Sequence, residues 1–486
     1  MSARFAKFVL IFCCAMLIAP LAVYGQAGGA GGGGGDGAGG GGGGDGAGDG
    51  GGQGGDSFFF SDGVVGGIKI DASGVLTGGH VRLDATVREK LESSLRKSDS
   101  NIKSNTKLRM ISLRGLEQAI NESREAGQPL SNEIKFMAGL QRIEYIIASP
   151  ETNDIILAGP GEGYRLNDDG LVVGSTSGAP VIRLEDFLVA MRSVENARRG
   201  QGVSVSIDPT ETGTKQLKQL YGYMKKNRIS FSEKMQPQVE KAMGPQTVRL
   251  TGIPQDSRFS QVLVAADYKM KRLAMGFERA NIEKFPSFME IVQKAQAQRV
   301  TAAPRFWMEC NYEPVAKTAD SLVWQIRGKG VKALTQESHY SKDGERTVTT
   351  KQNRFAKQWA DMMTERFEEL ADAEPVFREL RNVMDLSVVA AIITRERLTD
   401  KVGLETPSIL GTSRVSVNTP RHAVAKVVPT QCSFVRIAKS WLVSASGGVQ
   451  LDSWGVAANT ETVAELAEVG KTATKRTSAT WWWNAN

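Results

Sequence analysis

The hydrophobic period of the chain changes within one stretch, Gln246–Met275. Thr247–Ile253 alternates Val248 and Leu250 with Arg249 and Thr251, which predicts a half-buried strand. Gly252 and Pro254 interrupt it, and Pro254 biases Ile253 toward extended backbone. Asp256 or Ser257 can then cap a helix by accepting from an orphan amide. From Phe259 the apolar positions Phe259, Val262, Leu263, Ala266, Met270 and Leu273 form one helical stripe facing the core. Asp267 sits four residues before Lys271 on the outer side, an order that supports a helix. Asp267, Tyr268, Lys269 and Arg272 read either as a polar cluster over a cleft or as a solvated helix face. The solvated face is the plainer reading. This strand–turn–helix is expected at the centre of the fold.

Around it the patterns predict short helices and hairpins. Val64–Leu76 alternates like a strand with glycines at turns. Helices are expected over Leu83–Lys97, Leu113–Ala126, Asn132–Arg142 and from Leu184. Two hairpins are expected, Glu144–Ala148 with Asp154–Ala158 and Tyr164–Leu166 with Leu171–Val173, each flanking a turn-rich segment. Val203–Ile207 reads as a strand, Lys215–Lys226 as a basic helix and Ser232–Met243 as another. Further on come a helix at Ser287–Gln298 and strands at Arg305–Asn311, Ser321–Arg327 and Val331–Gln336. Gly328-Lys329-Gly330 forms a tight connection between the last two. Asn353–Leu370 is amphipathic, and Pro375 opens a helix whose middle, LSVVAAII, is apolar all round and hence the most buried. Thr399–Val424 reads as irregular. Ser433–Ile437 pairs with Ser440–Ser444, and Thr462–Val469 is helical. Helices and hairpins in runs predict an α+β fold with some strand–helix units.

VLVAADYKMKRLAMG (262–276), NYEPV (311–315), IRGKGVKA (326–333), MDLSVVAAIITRE (384–396) and SASGGVQLD (444–452) are long, idiosyncratic segments. Together they resemble a family of secreted planctomycete proteins known only as a domain of unknown function, number 1598. The similarity runs from about Arg114 to Asp452. The resemblance implies a shared fold and export. It implies no activity, cofactor or catalytic residue.

The N-terminus changes the picture of location. Arg4 and Lys7 precede the apolar run Phe8–Leu21 and then AVYG, the layout of a signal peptide cleaved after Gly25. The run is short for a retained anchor, which needs about 20 apolar residues. Ala27–Gly55 is almost pure glycine and cannot bury apolar area, so it reads as a flexible tether spanning about 30 Å. The chain therefore divides into a signal at 1–25, a Gly-rich linker at 26–56, an N-terminal α+β region at 57–200, a central and C-terminal α+β region at 201–455, and a helix with a disordered tail at 456–486. Trp481–Trp483 end that tail, where exposed indoles would seek an interface, a sugar or a partner.

Composition is ordinary for a globular chain of 486 residues, with net charge +7. The basic residues are spread thinly, densest at Lys225–Lys226–Arg228 and Lys269–Lys271–Arg272, without the aromatic-lined basic face of nucleic-acid binders. No nucleic acid is expected as a partner. Cys310 and Cys432 lie in predicted strands and read as a disulfide or as two buried thiols. His80, His339 and His422 are far apart and lack metal-ligand spacing, so neither a metal nor another cofactor is expected. GPGEG (159–163) precedes a strand rather than a helix, so it is no phosphate cradle. GSTSG (174–178) has Thr176 at its centre and no strand–helix turn, so it is no nucleophile elbow. SASGG (444–448) reads as a turn, and Glu368–Glu369 as salt-bridging surface carboxylates.

These readings lead to an exported, non-catalytic envelope or extracellular protein that acts by binding or by a structural role. Its partner would be an envelope protein or a polysaccharide. The alternative is an extracytoplasmic hydrolase with a site drawn from Asp267, Lys271, Arg272, Glu309 and His339. A deep pocket gathering those groups would separate the two.

Overall fold

The computed structural model describes residues 69–70, 76–77, 85–96 and 100–485, apart from 169, 201, 230–231, 296–302, 341–345, 350–352, 413–416, 418, 431–432, 438–439, 445–447 and 475–479. The expected signal, its cleavage point at Gly25 and the glycine tether lie outside those residues, as do His80 and Cys432. The α+β class holds, with helices and several sheets interleaved along the chain.

Six helices carry the description: α1 (Leu113–Glu125), α2 (Leu184–Arg199), α3 (Glu211–Lys226), α4 (Gln236–Met243), α5 (Arg258–Met275) and α6 (Pro375–Arg395). The main strands are β1 (Thr106–Ser112), β2 (Tyr145–Ser149), β3 (Asp154–Gly161), β4 (Val203–Pro209), β5 (Gln246–Thr251), β6 (Ala303–Asn311), β7 (Val315–Lys317), β8 (Val323–Gln325), β9 (Gly330–Tyr340), β10 (Arg346–Thr349), β11 (Val427–Val428), β12 (Gly448–Leu451), β13 (Thr460–Thr462) and β14 (Trp482–Asn484).

They form two seven-stranded sheets. One runs β10-β9-β6-β12-β4-β5-β11 and the other β13-β7-β8-β2-β3-β1-β14. Neighbours are antiparallel except β6 with β12 and β7 with β13. Both exceptions pair a C-terminal strand with one near residue 310. The predicted hairpins β2–β3 and Tyr164–Leu166 with Val172–Gly174 are present, as is the pairing of Ser433–Ile437 with Ser440–Ser444.

The strands flanking Gly328-Lys329-Gly330 fall in different sheets. β6 pairs with β9, while the hairpin β7–β8 between them leaves to join β2. The return depends on two glycines with positive φ, Gly328 (103°) and Gly330 (84°). A Cβ on Gly330 would stand 2.7 Å from Arg381 Cγ. From the C-terminal end of the chain, β13 and β14 complete the sheet built on β1–β3.

α6 is the buried axis. Pro375 occupies its first turn, and every residue from Glu379 through Ile393 is buried. It packs on α2 and α5. Helix α5 starts at Ser257, whose hydroxyl accepts from the Ser260 amide, and stops at Gly276 in the left-handed region, φ 74°. Each fully buried Leu, Ile, Val or Phe in these helices stabilises the fold by roughly 1.5–3 kcal/mol. Strand β5, by contrast, is next to the sheet edge and only half-buried, so the innermost strands are β6, β12 and β4.

Four other expectations need correction. The helix expected over Asn132–Arg142 ends at Lys135, because Met137, Ala138 and Gly139 turn left-handed (φ 47°, 50° and 77°). That turn aims the Ala138 carbonyl at Arg109, a fully buried guanidinium on β1. Arg109 donates to the carbonyls of Ala138 (2.6 Å), Glu162 (3.0 Å), Ile102 (3.1 Å) and Ser104 (2.8 Å) and to Asn484 Oδ1 (2.9 Å). Burial pulls its pKa down to about 10. The tail at Trp481–Trp483 is not a free end: Trp482–Asn484 is an edge strand on β1, with Trp482 and Trp483 buried. The helix expected at Thr462–Val469 begins later, at Leu466, after β13, and Asn353–Leu370 divides into Arg354–Glu365 and Phe367–Ala373.

Candidate functional site

The polar residues of α5 are not a solvated face. Among the residues of this helix only Lys269 and Arg272 escape the buried class. Asp267 is 0% exposed, and its Oδ2 accepts from Lys271 Nζ at 2.8 Å. The expected outer-side pair is therefore an inner one, between α5 and the sheet. Burial holds the Asp267 carboxyl above its ordinary range despite Lys271, Arg305 pulls the other way, and Asp208 adds to the rise. Asp208 on β4 accepts from the Ser206 hydroxyl at 2.7 Å. The second oxygens of Asp267 and Asp208 are buried with no hydrogen-bond partner.

Arg258, the first residue of α5, is the hub of a larger buried network. Its guanidinium pairs with Asp186 on α2 and with Glu379 on α6. Burial opposes its charge, and the two carboxylates outweigh that and hold it firmly protonated. Asp186 is pushed up to about 6 by burial. Beside it, Glu185 accepts from His422 Nε2 at 2.8 Å. Burial would raise Glu185, but His422 and Arg183 hold it below the usual range. The His422 amide donates to the Asp256 carbonyl at 2.7 Å, tying this loop to the start of α5.

A third node centres on Asp385 of α6, which is fully buried. One oxygen accepts from Arg142 Nε at 2.9 Å and the other from the Tyr312 hydroxyl at 2.7 Å. Arg142 also donates to the Gly328 carbonyl at 2.9 Å. Burial raises the Tyr312 phenol well above its usual value, and the Asp385 charge raises it further. Tyr312, Gly328 and Asp385 come from NYEPV, IRGKGVKA and MDLSVVAAIITRE, so three of the quoted segments meet here. Together the node joins both sheets to the central helix.

The hydrolase candidates do not converge. Asp267 and Lys271 are buried against each other. Arg272 points away, donating to Glu278 at 2.5 Å beside Lys269, which bridges Glu278 (2.7 Å) and Glu374 (3.0 Å). Glu309 lies on β6, accepts from Trp307 Nε1 at 2.6 Å and stands 3.7 Å from Lys332. His339 lies on β9 in the same sheet. A cleft of about 220 Å³ opens at the C-terminal end of α5, where Leu273, Phe285 and Met289 meet Glu278, Arg279 and Glu290. None of the five candidates lines it. Cys310 is half-buried on β6, its thiol pushed up to about 12 by burial, which disfavours the reactive thiolate. Among the described residues no group of three His, Cys, Asp or Glu could hold a metal ion.

The residues that dominate these nodes, Arg258, Asp186, Glu379, Arg142, Tyr312 and Asp385, carry no signal in the linear pattern beyond one: Asp385 and Glu379 interrupt an otherwise oily helix. A charge inside such a run has to find a partner.

No curated protein and no solved structure matches the chain. Residues 205–288 match the model of a family described as a protein of unknown function (DUF1598). That stretch covers the VLVAADYKMKRLAMG segment and ends before NYEPV, so it is narrower than the similarity expected from 114 to 452. It runs from within β4 through α3, α4, β5 and α5, and is the part of this chain similar to that family.

Proposed function

We propose that this is an exported, non-catalytic protein of the cell envelope or extracellular space, acting by binding or as a structural element. Export rests on the order of Arg4, Lys7, the apolar run Phe8–Leu21 and the small residues after it. Among the described residues no helix is long and apolar enough to cross a membrane. The observation that carries the non-catalytic reading is how the interior charges are spent. Asp267 pairs with Lys271 within α5, Arg258 with Asp186 and Glu379 across three helices, and Arg142 from a loop with Asp385 on α6. A catalytic group must instead reach a substrate in a cleft. The partner classes that fit are an envelope protein or a polysaccharide.

The test is a broad hydrolase-substrate screen on the purified chain from Gln26, with Asp267→Ala alongside. The expected result is no turnover by either protein. Turnover by the parent that disappears in Asp267→Ala would replace this reading with the hydrolase.

A further inference from the structure

Helices α3 and α4 form a hairpin inserted between the adjacent strands β4 and β5. Thr210 caps α3 by accepting from the Gly213 amide at 3.0 Å. Gly213, Leu217 and Met224 form its buried stripe. At Gly213 the helices come so close that a Cβ would lie 1.9 Å from the Met243 carbonyl oxygen. The opposite face, with Lys215, Lys218, Gln219, Gly222, Tyr223 and Lys226, is exposed. Its sixteen residues carry the chain about 24 Å from Pro209. It ends in a turn where Arg228 adopts φ 54°.

The turn region combines two properties. Residues 211–243 hold seven basic and three acidic side chains, a net +4 within a chain of net +7. Among the described residues Lys215, Lys226 and Arg228 have no ion pair, unlike the interior cations of α5. Tyr223 is 61% exposed and Ile229 42%, two of the four large apolar side chains exposed among the described residues. They flank Lys226 and Arg228. Cations alone would fit any polyanion. An exposed isoleucine gains nothing from a hydrated polysaccharide or a phosphate backbone, whereas a lipid interface takes up the apolar tip and the cations together.

We infer that the tip of this hairpin, residues 222–229, is a docking point for an anionic lipid surface. Tyr223 and Ile229 enter the headgroup boundary, and Lys226 and Arg228 meet the phosphates, with Lys215 and Lys218 adding longer-range attraction. The inference goes beyond the binding or structural reading above and concerns a different surface, and its test requires neither export nor a known partner.

Flotation with vesicles tests it, using the chain from Gln26, which keeps every described residue and lacks the apolar run at 8–21. The expected result is binding to phosphatidylcholine–phosphatidylglycerol vesicles and none to phosphatidylcholine alone. Lys226→Gln with Arg228→Gln weakens binding by about thirtyfold, roughly fivefold per cation. Tyr223→Ser with Ile229→Ser weakens it by about tenfold. All variants melt with the parent, because the altered side chains are exposed. Failure to float with anionic vesicles would overturn the inference. So would unchanged vesicle binding by Tyr223→Ser/Ile229→Ser together with displacement of the protein by dextran sulfate, which would assign the patch to a soluble polyanion.

Discussion

Helices α5 and α3 lie in the same family-matched segment, and both set an apolar stripe beside a polar face. In α5 the polar side is enclosed, and Asp267, Lys271 and Arg258 are matched by opposite charges from the helix itself, α2 and α6. In α3 the polar side is open, and Lys215 and Lys226 face solvent. Periodicity places the stripe that must be buried. It says nothing of what covers the other side. That depends on whether a second layer, here α2 and α6, arrives from elsewhere in the chain.

The largest expected effect lies on the enclosed side. Asp385→Ala strands Arg142 and the Tyr312 hydroxyl in the interior and should cost about 3–5 kcal/mol in urea denaturation. A cost below about 1 kcal/mol would mean the node is wet and the contrast with α3 is false.

Next comes the packed C-terminus. Trp482→Ala removes a buried indole whose face lies 5.3 Å from the Arg109 guanidinium, and should cost about 3 kcal/mol. Stability unchanged by this substitution would restore the tail to a disordered one.

The third prediction concerns pH. Asp186 titrates near 6 when folded, against an ordinary value of 3.8. The folded state therefore holds this proton more tightly than the unfolded state. Stability from this group is fully present below about pH 4 and is lost as pH rises through about 6, by on the order of 1–3 kcal/mol. Asp186→Asn lacks the titration, so the stability of the parent relative to this variant should fall between those pH values. A parent-to-variant difference that is flat or rises there would show that Arg258 wins over burial. Smallest is the effect on the open face: Lys215→Ala should stay within about 0.5 kcal/mol of the parent.

How much of this was legible follows the same division. Local rules narrowed the cap of α5 to Asp256 or Ser257, and placed Pro375 at the start of α6 and the oily middle of α6 in the core, because each depends on a few neighbouring residues. The turn at Met137–Gly139 was not legible, since its left-handed residues are held by Arg109 from β1, far away in sequence. The β7–β8 excursion was missed for a related reason. These residues look like neighbours of β6 and β9, yet β8 pairs with β2 and β7 with β13 in the other sheet. The tryptophans at the end read as exposed because nothing local shows that β1 offers an open edge. For the candidate site, residue type marked Asp267 and Lys271, while their enclosure came from the distant chain.

The most direct test of the enclosed charges is a comparison of Arg258→Met with the triple variant Arg258→Met, Asp186→Leu, Glu379→Met in chemical denaturation. If the network is buried and held by its own ion pairs, the single change leaves two carboxylates unpaired and costs about 3–5 kcal/mol, and the triple apolar set recovers most of that loss. A single variant as stable as the parent, or a triple variant no better than the single, would contradict it.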